Sequence, residues 1–492
     1  MNRLKYGTPE SVGISSEAIL HLMERLEEQH ICMNSLLIAR HGTVVSETYY
    51  KPYHKKKLHR MFSVTKSLVS LAIGLLEADG CIELEDSICK YFPEYVPSSV
   101  HPWLARTTIQ DMLTMRSCHA NTTYDVHSEK DNWVESFFVT KPTNPPETVF
   151  QYDTSASHVL CALVEKLTGQ DLLDFLKDRF LRELGWSEES YVMKDPFGTS
   201  MGGAGLMALP EDLLRLGMFL LDENEQERLN YPKAYLQEAL RRQASVTGWN
   251  RTCAGYGYQF WMLPDDGFGM IGRADQDVLC FPKQELVVAY TADTEELENL
   301  AGLDVIYDTV RQELLKTLQL EPLPEQPKAL HRLQEASAQA EIPKLRDECE
   351  TNVGAQVSGQ WYDMKENAAW YGRMRVVVDA TGGVLEYMRT REPDRIYQIP
   401  FGKEQLVCGM FPEYDQECAA SAAWMEPQVL FLRVWLTDER IGNIQIRLHF
   451  GTEGSLTVWM KKWEECSFEQ FQGIFTGVRH GREASECCIC QG

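Results

Sequence analysis

Ser63-Val64-Thr65-Lys66 opens an apolar stretch that continues past Ser67 as LVSLAIGLLEADG. The pattern predicts a helix with the serine and the lysine on one face, one turn apart. A serine hydroxyl is a poor nucleophile at neutral pH and needs a neighbouring base to take its proton. A lysine can be that base when burial and nearby cations lower its pKa. The first helical turn also offers free backbone N–H groups and the positive end of the helix dipole. Both suit negative charge developing on an acyl oxygen. Ser-x-x-Lys recurs by chance, and a serine at a helix start is also an ordinary N-cap. The flanking sequence therefore has to carry the reading.

Upstream, residues Ile14 to Gln29 read as an amphipathic helix. Ser35 to Arg40 reads as a strand, His41-Gly42 as a turn and Thr43 to Tyr50 as the return strand, ended by Lys51-Pro52. Downstream, a polar middle section carries short helices and loops. Strand character returns at Glu285 to Thr291, and Leu300 to about Leu318 reads as a closing helix. This order predicts an α+β domain over residues 1–320, its two ends sharing one antiparallel sheet.

Residues 321–346, beginning EPLPEQP, read as a proline-rich linker that continues with a short polar helical run. From 347 to 480 the texture turns β-rich: Arg375 to Asp379, Val429 to Leu436, Ile444 to Phe450 and Ser455 to Met460. Turns such as Ala380 to Gly383 separate several of these runs, and Ile444 to Phe450 alternates apolar and polar residues. That predicts an antiparallel barrel or sandwich. Trp361, Trp370, Trp424, Trp435 and Trp459 read as its core. Residues 481–492 form a tail in which Cys487, Cys488 and Cys490 read as spare thiols rather than a metal site.

A chain of 492 residues suggests about two to three domains. The net charge of −24, from 72 acidic and 48 basic residues, repels phosphate backbones and sets nucleic acid aside. No stretch approaches the roughly 20 apolar residues of a membrane span, and the first residues lack the apolar core of a signal peptide. A cytoplasmic location is expected. The 14 cysteines lack a regular spacing and read as reduced thiols. No cofactor or metal is expected.

Several ordered segments in the first 315 or so residues resemble the serine β-lactamase and penicillin-binding-protein superfamily, in particular its class C β-lactamase-like branch of esterases and D-amino-acid peptidases. They are His59 to Ser67, Thr108 to Ser117, Phe150 to Thr154 with the helix after it, Gly202 to Leu213, Tyr256 to Trp261 and Gly272 to Gln276. The resemblance implies a β-lactamase/transpeptidase-like fold, an antiparallel sheet with a helical domain, followed by a lipocalin-like barrel. It implies Ser63 as acylated nucleophile, Lys66 as its proton acceptor and Tyr152 as second base and proton donor to the leaving group. The backbone N–H groups of Ser63 and Gln276 would form the oxyanion hole.

Three departures stand out. Thr154 replaces a usual Asn, with Asp153 adding a charge beside it, and Arg273-Ala274-Asp275 replaces a usual Lys-Thr-Gly or its variants. Asp153, Thr154 and Arg273 are the expected substrate contacts. Arg273 would meet a substrate carboxylate or instead pair with Asp275 or Asp277. His158 reads as a surface or core histidine. The expected activity is hydrolysis of a small ester, amide or short peptide. A catalytically weak scaffold and a true β-lactamase remain open, as does homo-oligomerisation through the C-terminal domain.

Overall fold

His41 and Gly42 both take left-handed φ angles, 48° and 66°, and make the tight two-residue turn expected of them. They join β2 (Cys32–Arg40) to β3 (Thr43–Tyr49), in a computed structural model that describes residues 4–126, 132–246, 248–297, 301–464 and 471–481. With β1 (Lys5–Tyr6), β7 (Gly255–Tyr256), β8 (Trp261–Met262), β9 (Phe268–Gly272), β10 (Gln276–Phe281) and β11 (Leu286–Asp293) they form an eight-stranded sheet. Its order is β1-β3-β2-β11-β10-β9-β8-β7, antiparallel except where β1 meets β3. Strand β11 pairs with β2 from Leu286–Arg40 to Asp293–Cys32, so the two ends of this part of the chain do share one sheet. A smaller sheet joins β4 (His59–Arg60), β5 (Tyr191–Val192) and β6 (Leu206–Ala208).

Strand β2 reads LLIA without alternation because both faces of the sheet are covered. Leu37 and Ala39 join the core built around α2 (Val64–Ala78) and α3 (Thr154–Thr168). Leu36 and Ile38 join a second core with α1 (Ser16–Glu28) and α5 (Ala301–Val310), while α4 (Pro210–Leu221) lies on the α2 side. Helix α2 is apolar all round, and Leu68, Val69, Leu71, Ala72 and Ile73 are all fully buried, which makes it the central helix of this unit. Burial of such side chains is worth about 1.5–3 kcal/mol each. The Ser63-Val64-Thr65-Lys66 segment therefore leads into a rigid element.

The chain divides into two compact units, Met1–Glu341 and Ile342–Gly492. Within the segment expected as linker, α6 (Pro327–Gln339) is a regular helix packed on α1. Its Ala329 and Leu333, four residues apart, are buried, an apolar face in a helical run that reads as polar.

The second unit is all-β, as expected. It comprises β12 (Tyr362–Met364), β13 (Tyr371–Val378), β14 (Gly382–Arg389), β15 (Glu392–Gly402), β16 (Val407–Phe411), β17 (Gln416–Glu426), β18 (Val429–Thr437), β19 (Ile441–Phe450), β20 (Ser455–Glu464) and β21 (Gly473–Arg479). Neighbouring strands run antiparallel, and a parallel contact of β15 with β17 at Gly402 and Ser421 closes the barrel. Ile444, Ile446, Leu448 and Phe450 enter the core, whereas Arg447 and His449 are exposed. The tryptophans depart from expectation, since only Trp424 joins that core. Trp435 is buried on the opposite face of its strand and donates to the Pro343 carbonyl. Trp361, Trp370 and Trp459 lie beside the guanidinium groups of Arg375, Arg391 and Arg447. Strand propensity cannot tell which face a tryptophan takes, and the flanking arginines draw these three outward. Cys487, Cys488 and Cys490 lie outside the described residues. Among the described residues no helix is long and apolar enough to cross a membrane.

Candidate active site

The chain enters α2 through a sharp turn. Phe62 holds a left-handed φ of 42°, and the Met61 N–H donates to the Leu206 carbonyl of β6. Thr65 locks the turn, donating its hydroxyl to Phe62 O at 2.6 Å and accepting from the Leu206 N–H at 3.0 Å. Ser63, half-buried, is thereby fixed at the helix start.

Lys66 is buried one turn further on. Its ammonium donates to Ser63 Oγ at 3.1 Å and to the Gly203 carbonyl at 2.6 Å, and stands 4.9 Å from the centre of the Tyr152 ring. Burial pushes the Lys66 pKa down to about 7, against the opposing pull of the Asp153 charge. Tyr152 faces the Ser63 hydroxyl. Burial raises its phenol above the ordinary tyrosine value, and the Ser63 hydroxyl opposes that rise. Ser63, Lys66 and Tyr152, distant in sequence, are thus brought together.

Asp153 is fully buried and caps α3, accepting from the Ser155 N–H at 2.9 Å and from the Ser117 hydroxyl at 3.1 Å. Burial raises its carboxyl to about 6. The carboxylate is used on the helix cap rather than presented at the open side. Ser117 ends the segment that begins at Thr108, so two of the motif segments meet here.

Thr154 begins α3, and its backbone N–H donates to Thr122 Oγ1 at 3.1 Å. Its methyl group packs so closely on Gly203 that a Cβ there would lie 2.2 Å from Thr154 Cγ2. The glycine is required for this approach, and the approach sets the carbonyl that accepts a hydrogen bond from Lys66. The shorter, branched side chain at 154 is a packing partner of the Gly-Gly element.

Arg273 is exposed and forms a two-pronged pair with Glu295, Nε to Oε1 at 2.5 Å and Nη2 to Oε2 at 2.9 Å. Neither Asp275 nor Asp277, the expected structural partners, is the residue it engages through this pair. The sequence offers no local signal for Glu295, which lies in the chain leaving β11.

Gln276 begins β10 opposite Gly272. Its side-chain amide is fixed by the carbonyls of Ala274 and Ala292, at 2.9 and 2.6 Å. A Cβ on Gly272 would fall 2.5 Å from Met61 O, so the β9–β10 corner lies against the turn into α2. In the corner, Ala274 and Asp275 take φ of 58° and 62°, the conformation that glycine favours and aspartate tolerates. The Gly-to-Asp departure is accommodated in that way.

Two buried acids escaped the sequence reading as a pair. Asp275 accepts from the Thr294 hydroxyl at 2.6 Å, and burial raises it to about 7. Asp277 accepts from the Gly272 N–H at 3.0 Å and the Tyr290 hydroxyl at 2.8 Å, and burial together with Asp275 raises it well above the carboxylate range. They tie the β9–β10 corner to its neighbours. A ring of aromatics around Tyr152 was also missed and is taken up below. His158 is buried and engages Asp195 at 3.1 Å, a core histidine with a carboxylate partner of its own.

The sequence profile described as beta-lactamase matches residues 21–308. The 6-aminohexanoate-dimer hydrolase of Paenarthrobacter ureafaciens is 25% identical over 218 residues, covering 41% of this chain and 54% of that protein. Esterase EstB of Burkholderia gladioli is 26% identical over 198 residues, covering 35% of this chain and 50% of that protein. The chain thus spans about half the length of the curated relatives it matches. The structure of D-amino acid amidase from Ochrobactrum anthropi SV3 covers 61% of this chain and 99% of its own, with a TM-score of 0.50 and 14% identity, a likeness of fold. With a matched profile that spans more than half of its length, this chain belongs to the beta-lactamase family.

Proposed function

We propose that the protein is a serine hydrolase that forms an acyl-enzyme at Ser63 and hydrolyses a small ester, amide or short peptide. The observation that carries the reading is the 3.1 Å contact of a buried Lys66, its pKa near 7, with Ser63 Oγ. A lysine with that pKa is substantially neutral at pH 7 and can accept a proton.

Ser63 Oγ attacks the acyl carbon while Lys66 Nζ takes the hydroxyl proton. The carbonyl electron pair moves onto oxygen, held by the N–H groups of Ser63 and Gln276. The bond to the leaving oxygen or nitrogen then breaks, and that atom takes the Tyr152 proton, which Lys66 replaces. Water adds to the acyl carbon, its proton passes back through the same pair, and the acid departs with Ser63 restored. The phenol stays protonated until the leaving group needs it, as its raised pKa favours.

The names of the relatives, a dimer hydrolase and an esterase, support amide and ester bonds as the substrate range. Labelling with a fluorophosphonate, read by intact mass, tests the reading. One adduct is expected on the wild type and none on Ser63→Ala. An equal adduct on the variant would place the nucleophile elsewhere.

A further inference from the structure

Tyr152 stands in a wall of aromatic rings. Trp261 stacks on it with centroids 5.6 Å apart and planes 19° apart, and Trp249 lies 5.5 Å away at 37°. Tyr256 and Phe150 close the cluster edge-on, and Trp249 also reaches Trp261 at 5.8 Å. Trp261 and Tyr256 are 4% and 1% exposed, as core residues should be, but Trp249 keeps 43% of its surface open. A single exposed ring is ordinary on a protein surface, so its neighbours decide what it means. Here it borders the ring of a proposed proton donor, where a substrate must pass.

We infer that Trp249 forms, with the rim of Tyr152, an apolar subsite for the leaving group, and that the preferred substrates carry an uncharged aromatic or bulky apolar group on the leaving side. This rests on the proposed acyl transfer at Ser63. The leaving atom must reach the Tyr152 hydroxyl to take its proton, so the group it carries lies along the Tyr152 ring, and Trp249 is the accessible face beside it. The wall carries no formal charge. Arg251, two residues on, is engaged by Asp304 and Asp308. The cation over the Tyr152 ring, Lys66, is already bonded to Ser63 and Gly203. Flat π faces of this kind gain from stacking on another ring as well as from burying its area.

The test compares the benzyl and the methyl ester of one short acid, so that the acyl group and the deacylation step are shared. In Trp249→Ala the ratio of kcat/KM for benzyl over methyl should fall about tenfold. Trp249→Phe should restore most of it, and both variants should melt with the wild type because the side chain is half in solvent. An unchanged ratio in Trp249→Ala, with turnover still abolished by Ser63→Ala, overturns the subsite and leaves the hydrolase reading standing. Turnover that survives Ser63→Ala overturns both. Aromatic faces also attract cations, so a 2-(trimethylammonio)ethyl ester is the third substrate. A larger Trp249 dependence for it than for benzyl overturns the assignment to an uncharged group.

Discussion

One buried site in each unit holds its charge in a different way. In the barrel, Arg389 donates to Glu413 at 3.0 and 2.7 Å and lies over the Tyr371 ring at 4.1 Å, and Lys462 stands 3.2 Å from Glu464. In the first unit, Lys66 meets a hydroxyl and a carbonyl, and among the described residues no carboxylate pairs with it directly. Asp275 and Asp277 accept from hydroxyls and one backbone N–H. A buried charge held by its opposite is a structural element. A buried ionisable group without an opposite charge is drawn toward its neutral form, and that makes it fit for moving protons near neutral pH. At Arg389 and Lys66 the side-chain chemistry agrees with this: arginine cannot give up its proton, whereas lysine can.

The contrast predicts unlike responses to mutation. Lys66→Met should lower kcat/KM by about 10²–10⁴-fold, as loss of a general base does, while leaving the melting temperature equal or higher, since a poorly paired buried amine is removed. Glu413→Gln should do the reverse. It leaves the Arg389 guanidinium without its anion, at a cost of about 3 kcal/mol or more to the barrel, while fluorophosphonate labelling at Ser63 keeps its rate. Calorimetry together with labelling kinetics separates the two. A Lys66→Met protein that melts low, or a Glu413→Gln protein that melts normally, would erase the distinction.

The second test sharpens the picture of the acid pair. Asp275 has a folded pKa raised to about 7 by burial, with Asp304 and Glu295 adding to the rise and the Thr294 hydroxyl opposing it. Asp277 lies beside it. The folded state therefore holds a proton that the unfolded chain gives up near pH 4. This contribution to stability is complete below about pH 4 and is lost as pH rises through about 7. The slope is at most about 1.4 kcal/mol per pH unit for one proton. Asp275→Asn keeps an acceptor for Thr294 and a residue that tolerates the left-handed φ, but it removes this titration. Its unfolding free energy should be flatter than that of the wild type across this window in urea titrations. Parallel curves would mean that the carboxyl titrates as it does in the unfolded chain.

What the sequence made legible follows from distance along the chain. Ser63 and Lys66 are three apart, and helix periodicity alone places them together. The β2–β3 hairpin and the return of β11 to the same sheet were readable from β-branched runs and one tight turn. Tyr152 needed the family resemblance, because nothing local says that it reaches Ser63. The Gly203 carbonyl that fixes Lys66 was invisible, since a backbone oxygen leaves no mark on composition and lies 137 residues away. The Arg273–Glu295 pair and the wall around Trp249 are likewise tertiary events. The helical run of α6 was legible after the prolines at 322, 324 and 327, the last of which occupies a first-turn position where proline is tolerated, but its packing on α1 was not.

The smallest expected effect is a shift in a pH profile, and it tests how Lys66 is poised. Burial alone would depress Lys66 further than it does, because the charge of Asp153 pulls its pKa upward. Asp153 is itself raised to about 6, so it carries that charge only above this pH. Asp153→Asn removes the charge and keeps the cap, since asparagine caps helices as well as aspartate does. Lys66 should then lose its proton at a lower pH. On the proposed mechanism the neutral amine is the active form, so the acid limb of kcat/KM should move to lower pH by up to about one unit, with the plateau close to that of the wild type. The profile of a neutral ester, measured under acyl-transfer control, reads the shift directly. A limb that stays in place would mean that the Asp153 charge is not felt at Lys66. A limb that moves to higher pH would mean that the titrating group is not a buried amine held up by a neighbouring carboxylate.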